Sequence, residues 1–145
     1  MKISRRCVAI VAALVFGSAA HAAQVIEVYK NEGCGCCEKW VEHLQKNGFA
    51  VKAHNVPDVG AYRARSGIPE HLSACHTARV GGYAIEGHVP ASEIKRLLAQ
   101  RPKAKGLAVP GMPAGSPGME SDRPQPYDVL LVQRDGTTAV FQSYR

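Results

Sequence analysis

The sequence predicts an α/β protein in which one mixed sheet carries packed helices. Three observations support this class. A short apolar run at residues 25–29 precedes a segment with helical periodicity, two strand patterns flank Gly81-Gly82, and two more flank Asp135-Gly136. Strands therefore alternate with helices early in the chain and pair through tight turns later.

The first half of the chain is predicted to run strand, helix, strand, helix. Residues 25–29 form a buried strand, and a helix follows from about 37 to 47, where apolar residues recur at helical spacing before an Asn-Gly stop. Residues 49–56 form the second strand. Asp58 is the expected N-cap of a short helix that ends near residue 66.

The next elements are a β-hairpin and a helix. Residues 77–80 and 83–86 read as short strands because a glycine turn separates them. Pro90 then begins a helix that ends near Gln100 and has one apolar face. This hairpin and helix complete the predicted core of the sheet.

The last third combines an irregular segment with a second hairpin. Residues 103–126 are so rich in glycine and proline that we expect a long loop without a regular element. Loops of this length in compact domains are usually functional or disordered. Residues 127–133 and 138–144, joined through Asp135-Gly136, predict a closing β-hairpin.

Three thiols, Cys34, Cys36 and Cys37, lie between the first strand and the first helix. At such a turn the helix dipole and free backbone N–H groups favour the thiolate, which attacks disulfides and binds metal ions. Structural disulfides are the alternative, but these thiols are too close together to link distant parts of a fold. The spacing predicts metal binding or thiol–disulfide exchange.

The order of the elements, with thiols at the first strand-to-helix turn, matches the thioredoxin-like plan, and the C-terminal hairpin is an addition to it. In that plan the third strand starts, and the fourth ends, at the edge of the sheet where the first strand ends. Cys75-His76 and Gly87-His88 are therefore expected to face the thiol turn. The Gly/Pro-rich loop is long enough to reach the same edge.

The N-terminus has the pattern of an export signal, with basic residues, a short apolar run and then small residues. We expect residues 1–22 to be a signal peptide, whose cleavage removes Cys7. Residues 23–145 are expected to form a single domain. The apolar run is too short to span a bilayer, and no later stretch is apolar enough to do so.

Composition argues against two further functional classes. The net charge of +6 falls to +3 when the three basic residues of the signal are removed, and no basic cluster with interleaved aromatic residues is present. Nucleic acid is therefore not an expected partner. Ser73 lacks the nucleophile-elbow pattern of hydrolases, so it is not an expected nucleophile.

Four motifs resemble those of the CopG-like copper-resistance proteins, an exported thioredoxin-like family formerly described as a domain of unknown function. The resemblance covers about residues 25–144, and no motif position departs from the family pattern. The motifs are Cys34-Gly35-Cys36-Cys37, Ser73-Ala74-Cys75-His76-Thr77-Ala78, Glu86-Gly87-His88-Val89-Pro90, and Val109-Pro110-Gly111-Met112-Pro113 through Gly115-Ser116-Pro117-Gly118-Met119-Glu120.

The resemblance implies periplasmic copper binding and a role in copper tolerance, with copper ions and other periplasmic copper-handling proteins as partners. Soft thiolate and thioether ligands select Cu(I) over harder divalent ions, which agrees with the residues present. The expected metal ligands are Cys34, Cys36, Cys37, Cys75, His88, Met112 and Met119.

The expected ligands other than Cys34, Cys36 and Cys37 could instead have purely structural roles. Cys75 is otherwise a small buried residue, and Met112 and Met119 are otherwise fillers of gaps in a loop or core.

Among the histidines, His88 is preferred because a strand end directs it at the site, and imidazole suits copper. His76, beside Cys75, is a weaker candidate. His43 lies two helical turns beyond Cys36 and is expected at the surface.

Adjacent cysteines favour more than one copper ion. Cys34, Cys36 and Cys37 cannot all close on one small ion without a strained backbone, whereas a thiolate sulfur bridges two Cu(I) ions. We therefore expect a thiolate-bridged cluster, with room for Cu(I)/Cu(II) cycling. A periplasmic thiol–disulfide oxidoreductase that uses the Cys34–Cys37 pair is the second hypothesis.

A structural zinc module is the third hypothesis. Zinc ligands usually occur in pairs separated by two to four residues, whereas Cys36 and Cys37 are adjacent.

Overall fold

The computed structural model describes residues 24–145, which form a single seven-stranded sheet with three helices and a short 3₁₀ turn. The expected signal peptide, residues 1–22 with Cys7, lies outside the described residues. In chain order the elements are β1 Val25–Lys30, α1 Gly35–Lys46, β2 Ala50–Asn55, α2 Val59–Arg65, the 3₁₀ turn Glu70–Leu72, β3 His76–Val80, β4 Tyr83–Glu86, α3 Ala91–Gln100, β5 Ala104–Ala108, β6 Tyr127–Gln133 and β7 Thr138–Tyr144.

The first four strands follow the predicted plan, and the α/β class is confirmed. β1 pairs in parallel with β2 and antiparallel with β3, which pairs antiparallel with β4. The predicted N-cap Asp58 accepts a hydrogen bond from the Ala61 N–H at 3.0 Å. α1 begins at Gly35, two residues earlier than predicted, so Cys34 is its N-cap and two of the thiols lie in its first turn.

The sheet has a hydrophobic core on each face. α1 and α3 cover the larger core, in which Trp40, Leu44 and Leu97 are fully buried. A smaller core on the opposite face includes Leu72 and Val132. Both faces of the central strands are covered, as expected for a sheet that carries helices on either side.

The prediction of an unbroken loop over residues 103–126 is wrong at its start, because residues 104–108 form β5. This strand lies parallel to β4 and antiparallel to β6, and it joins the closing hairpin to the core. Gly106 concealed it, since a run of five residues with a glycine at its centre is a weak strand signal. A Cβ at Gly106 would collide with the carbonyl oxygen of Ala84, so this close strand approach requires glycine.

Most of the strand ends that position the site lie at one edge of the sheet. β1, β4 and β5 end there, at Lys30, Glu86 and Ala108, and β3 begins there at His76. The loop that precedes α1 leaves from this edge, as does the segment after β5. Within residues 24–145, no helix is long and apolar enough to cross a membrane.

Candidate metal centre

The first side of the site is the cysteine turn, which we define as Cys34, Cys36 and Cys37. Cys34 and Cys37 form a disulfide, with their Cα atoms 5.3 Å apart, while Cys36 is a free thiol. Cys37 is buried, and the other two are half-buried. The helix start thus places two sulfurs in a covalent pair and leaves the third as a free thiol.

The opposite side is the facing wall, which we define as Cys75, His76 and His88. Cys75 immediately precedes β3, His76 is its first residue, and His88 lies just beyond the end of β4. The Cys75 Sγ lies 3.8 Å from the Cys36 Sγ, which is itself 3.6 Å from the Cys34 Sγ. The two sides therefore meet, as strand direction predicted.

The four cysteines form a compact group of sulfur atoms. Their Sγ atoms all lie within 4.8 Å of one another. The donor atoms of Cys75, His76 and His88 form a second group within the same distance limit, so Cys75 belongs to both. Cys75 thus belongs both to a group made of sulfur atoms alone and to a group that also contains imidazole nitrogens.

Both imidazoles direct a nitrogen at the Cys75 sulfur. The Nε2 of His88 lies 3.0 Å from Sγ, and the Nδ1 of His76 lies 3.3 Å from it. The other nitrogen of each ring donates to a carbonyl oxygen: His76 Nε2–H to Gly87 at 3.0 Å, and His88 Nδ1–H to Pro117 at 2.7 Å. These carbonyls fix the tautomers, so the nitrogens that face Cys75 carry lone pairs.

Burial keeps both rings neutral. It lowers the pKa of His76 to about 3, with a further contribution from His88, and it lowers the pKa of His88 against the opposing effect of the Pro117 carbonyl. Burial and the neighbouring Cys36 raise the pKa of the Cys75 thiol to about 12. One S–H thus faces two lone pairs, a surplus of acceptors that suits a soft cation.

The structure gives His76 a more central place than the sequence did. It is fully buried, with its ring 4.3 Å from that of Trp40 and 5.0 Å from that of His88. Its adjacency to Cys75 at a strand start was the available signal. Strand alternation turns neighbouring side chains to opposite faces and hid this convergence, which occurs because Cys75 precedes the strand.

Residues 110–120, which we call the strap, cover the site. Two hydrogen bonds hold the strap: Gly111 N–H donates to the Ser73 carbonyl at 3.0 Å, and the Pro117 carbonyl accepts from His88 at 2.7 Å. A Cβ at Gly118 would lie 2.7 Å from the Cys36 carbonyl oxygen and 2.9 Å from the Trp40 nitrogen. The strap therefore touches both the cysteine turn and the facing wall.

The two methionines of the strap differ in position. Met119 is half-buried and lines a cleft of about 520 Å³ together with Cys36, Lys39 and Glu120. Met112 is 51% exposed. Ligation by either thioether stays a prediction, and the cleft provides the more favourable surroundings for Met119.

His43 is not the surface residue that its spacing predicted. It is half-buried, and its Nε2 accepts a hydrogen bond from the Ala91 N–H at 3.0 Å. Ala91 is the first residue of α3, and Pro90 offers no capping side chain, so His43 satisfies an otherwise unpaired N–H of that helix. Burial lowers the pKa of His43.

The chain is similar to a family of uncharacterised proteins and to solved structures of a copper resistance protein. Residues 72–119 match a family model described as a protein of unknown function, DUF411. The chain is similar to two solved structures of copper resistance protein CopG. Form 2 is 42% identical, with a TM-score of 0.82, and the match covers 86% of this chain and 100% of that one.

Form 1 is 43% identical, with a TM-score of 0.81, and the match covers 85% of this chain and 98% of that one. No curated protein matches the chain. Identity of this level over nearly the whole of both solved chains shows that this protein belongs to the CopG copper-resistance family.

Proposed function

We propose that this protein binds Cu(I) in the periplasm as part of copper resistance, through the four cysteines of the cysteine turn and facing wall. The observation that carries the proposal is that four Sγ atoms from two separate parts of the chain lie within 4.8 Å of one another. Four thiols with adjoining imidazole and thioether groups form a soft donor set, which favours Cu(I).

The cluster holds more than one ion in this proposal. Cys36 and Cys37 are consecutive in α1, and Cys75 adjoins both the sulfur group and the two imidazoles. Bridging sulfurs would let neighbouring copper ions share these ligands without distorting the helix start. His88, with its Nε2 aimed at Cys75, and Met119 in the cleft would supply terminal ligands.

The redox state of the cysteine turn sets how many thiols are available to copper. Reduction of the Cys34–Cys37 disulfide takes two electrons and two protons from a donor dithiol, which leaves as a disulfide. Only then are four thiols available, and each thiol that becomes a ligand releases its proton. Cu(I) binding is therefore proposed for the reduced protein.

The same disulfide supports a second candidate, a thiol–disulfide oxidoreductase. Cys34 occupies the N-cap position of α1 and pairs with Cys37 three residues later, as in redox-active dithiols. The free thiols Cys36 and Cys75 count against rapid turnover, because either one can attack and trap a mixed disulfide. A disulfide-reduction assay beside a thioredoxin-type enzyme tests this, and comparable rates would favour the second candidate.

The proposed location depends on the charged, apolar and small residues at positions 1–22. Intact mass of protein from an export-competent host is expected to begin near Ala23. Recovery of the full-length chain would contradict export by this signal.

The main experiment is an anaerobic titration of Cu(I) into reduced and oxidised protein against a competing chelator. The reduced protein is expected to bind more than one ion per chain, and the oxidised protein to bind more weakly. Met119→Leu is expected to weaken binding more than Met112→Leu, and the exposed His71→Gln serves as a control. Saturation at one ion would contradict the bridged cluster, and failure to bind any would contradict the proposed function.

A further inference from the structure

A buried ring of hydrogen bonds lies directly behind the facing wall. The Nε of Arg63 donates to the Oε1 of Glu86 at 2.8 Å, and the same oxygen accepts the Ala74 N–H at 2.8 Å. The Nη2 of Arg63 donates to the Ala74 carbonyl at 2.9 Å. Three groups from α2, β4 and the loop before β3 are thus linked in a closed ring, which we call the clamp.

The clamp is desolvated, unlike an ordinary surface ion pair. Glu86 is fully buried, and Arg63 is 6% exposed. Only the Nη1 of Arg63 reaches outward, to the carboxylate of Glu70, whose side chain is 80% exposed. Buried charged hydrogen bonds of this kind are stronger and more directional than exposed ones.

The position of the clamp connects it to the site. Ala74 immediately precedes Cys75, and Glu86 lies two residues before His88, so the clamp joins the two backbone segments that carry these side chains. A Cβ at Gly87 would lie 2.7 Å from the Ala74 Cβ, so the segments are also in close contact. Both the Ala74 N–H and its carbonyl are used, which leaves the backbone before Cys75 little freedom to move.

We propose that Arg63 and Glu86 are positioning residues for copper binding: their clamp on Ala74 holds the Cys75 sulfur at the distance from Cys36 and His88 that a shared metal site needs. This inference depends on the proposed Cu(I) function of the same site. Neither residue belongs to the groups of candidate metal ligands, and both act through the backbone of Ala74.

The decisive variant is Arg63→Lys. Lysine keeps the positive charge beside Glu86, so no uncompensated charge is buried, but it lacks the planar fork that reaches Glu86 and the Ala74 carbonyl together. We expect Cu(I) affinity in the reduced protein to fall about 10- to 100-fold, the range typical for loss of groups that orient metal ligands. Glu70→Gln, which changes only the outer partner of Arg63, is the matched control and is expected to change affinity less than twofold.

A double-mutant cycle separates positioning from general loss of stability. If the clamp acts through Cys75, Arg63→Lys has little further effect on Cu(I) affinity in a Cys75→Ser background. An equal loss in both backgrounds would overturn the proposal, as would an unchanged affinity in Arg63→Lys alone. Glu86→Gln retains an oxygen that accepts the Ala74 N–H and is expected to lose less affinity than Glu86→Ala, which provides a second series if Arg63→Lys does not fold.

A readout without metal distinguishes failure of the clamp from failure of the copper function. In the metal-free protein, hydrogen exchange at the Ala74 amide is expected to be at least tenfold faster in Arg63→Lys than in the wild type. Exchange at the wild-type rate would overturn the clamp whether or not copper binds. Absence of Cu(I) binding in the reduced wild type would instead refute the proposed function, and with it the role of the clamp in copper binding.

Discussion

The cysteine turn and the facing wall contribute to one site but are built in different ways. The turn is local: its three sulfurs fall within four residues at the start of α1, and two of them are half-buried. The wall is assembled from two strand ends, its histidines are fully buried, and each ring is fixed by a carbonyl hydrogen bond.

The two sides are therefore expected to have different roles in metal binding. The turn supplies the groups whose state can change, because its Cys34–Cys37 disulfide is the bond that a dithiol reductant would break. The wall supplies imidazoles that are oriented by carbonyl hydrogen bonds and kept neutral by burial. We therefore expect changes in the wall to alter affinity for copper, and changes in the turn to alter its dependence on reduction as well.

The largest expected effect comes from Cys75→Ser, which removes the only sulfur of the wall. Because Cys75 lies in both donor groups, we expect Cu(I) affinity to fall more than about 100-fold, beyond the range for an outer partner, and the number of bound ions to fall. Competition titration of the reduced protein measures both. An effect no larger than that of Cys34→Ser would contradict the special position given to the wall.

Gly118→Ala tests the strap, which touches both sides. Gly118 has φ of +87°, and an added Cβ would press on the Cys36 carbonyl and the Trp40 nitrogen. We expect a loss of about 1–3 kcal/mol in the free energy of unfolding, measured by denaturant titration. Gly111→Ala is the control, with φ of +69° but open space around the added Cβ, and it is expected to cost less.

His88→Gln sharpens the comparison within the wall. The glutamine amide is a poorer ligand for Cu(I) than imidazole, so affinity is expected to fall about tenfold, the lower end of the range for groups that support a metal site. The dependence of binding on prior reduction should be unchanged, because the cysteine turn is intact. A variant that loses its requirement for reduction would show that the two sides are not separable in this way.

The smallest effect concerns His43, on the helix of the turn. Its folded-state pKa is lowered by burial, so the neutral form that accepts the Ala91 N–H is favoured, and the unfolded state binds the proton more readily. Stability from this group is thus present above the unfolded pKa of about 6.5 and is lost as the pH falls below it, by at most about 1.4 kcal/mol per pH unit.

In His43→Gln we expect the free energy of unfolding to fall less between pH 7.5 and pH 5.5 than in the wild type. Glu120 raises and Lys46 lowers the pKa of His43, so Lys46→Gln is a useful companion variant. Equal losses of stability in His43→Gln and the wild type would contradict the assignment.

Much of the fold was predictable because its signals are local. Apolar periodicity, the Asp58 cap and the two glycine turns placed three helices and six strands, and strand direction placed Cys75 and His88 opposite the turn. β5 was missed because Gly106 is required by strand contact rather than by any pattern in its own segment. Tertiary context decides such strands.

The features of the site that could not be predicted from the sequence depend on side-chain contacts between residues far apart in the chain. Spacing along a helix placed His43 at the surface, but α3 packs against it and uses its ring nitrogen. The Arg63 and Glu86 pair lies 23 residues apart, with no motif to connect the two. Such pairs become visible only when the packed elements are known.

The sequence separations within the site also have a consequence for how the chain folds. Cys34 and Cys37 are three residues apart, whereas Cys36 and Cys75 are separated by 39 residues and meet only when β3 pairs with β1. Short loops close in well under a microsecond, while distant strands pair more slowly. The Cys34 and Cys37 sulfurs therefore meet in the unfolded chain, whereas Cys36 and Cys75 meet only in the folded sheet. Where an oxidant joins the local pair before the sheet forms, two of the four thiols would be withheld from scrambled or intermolecular disulfides.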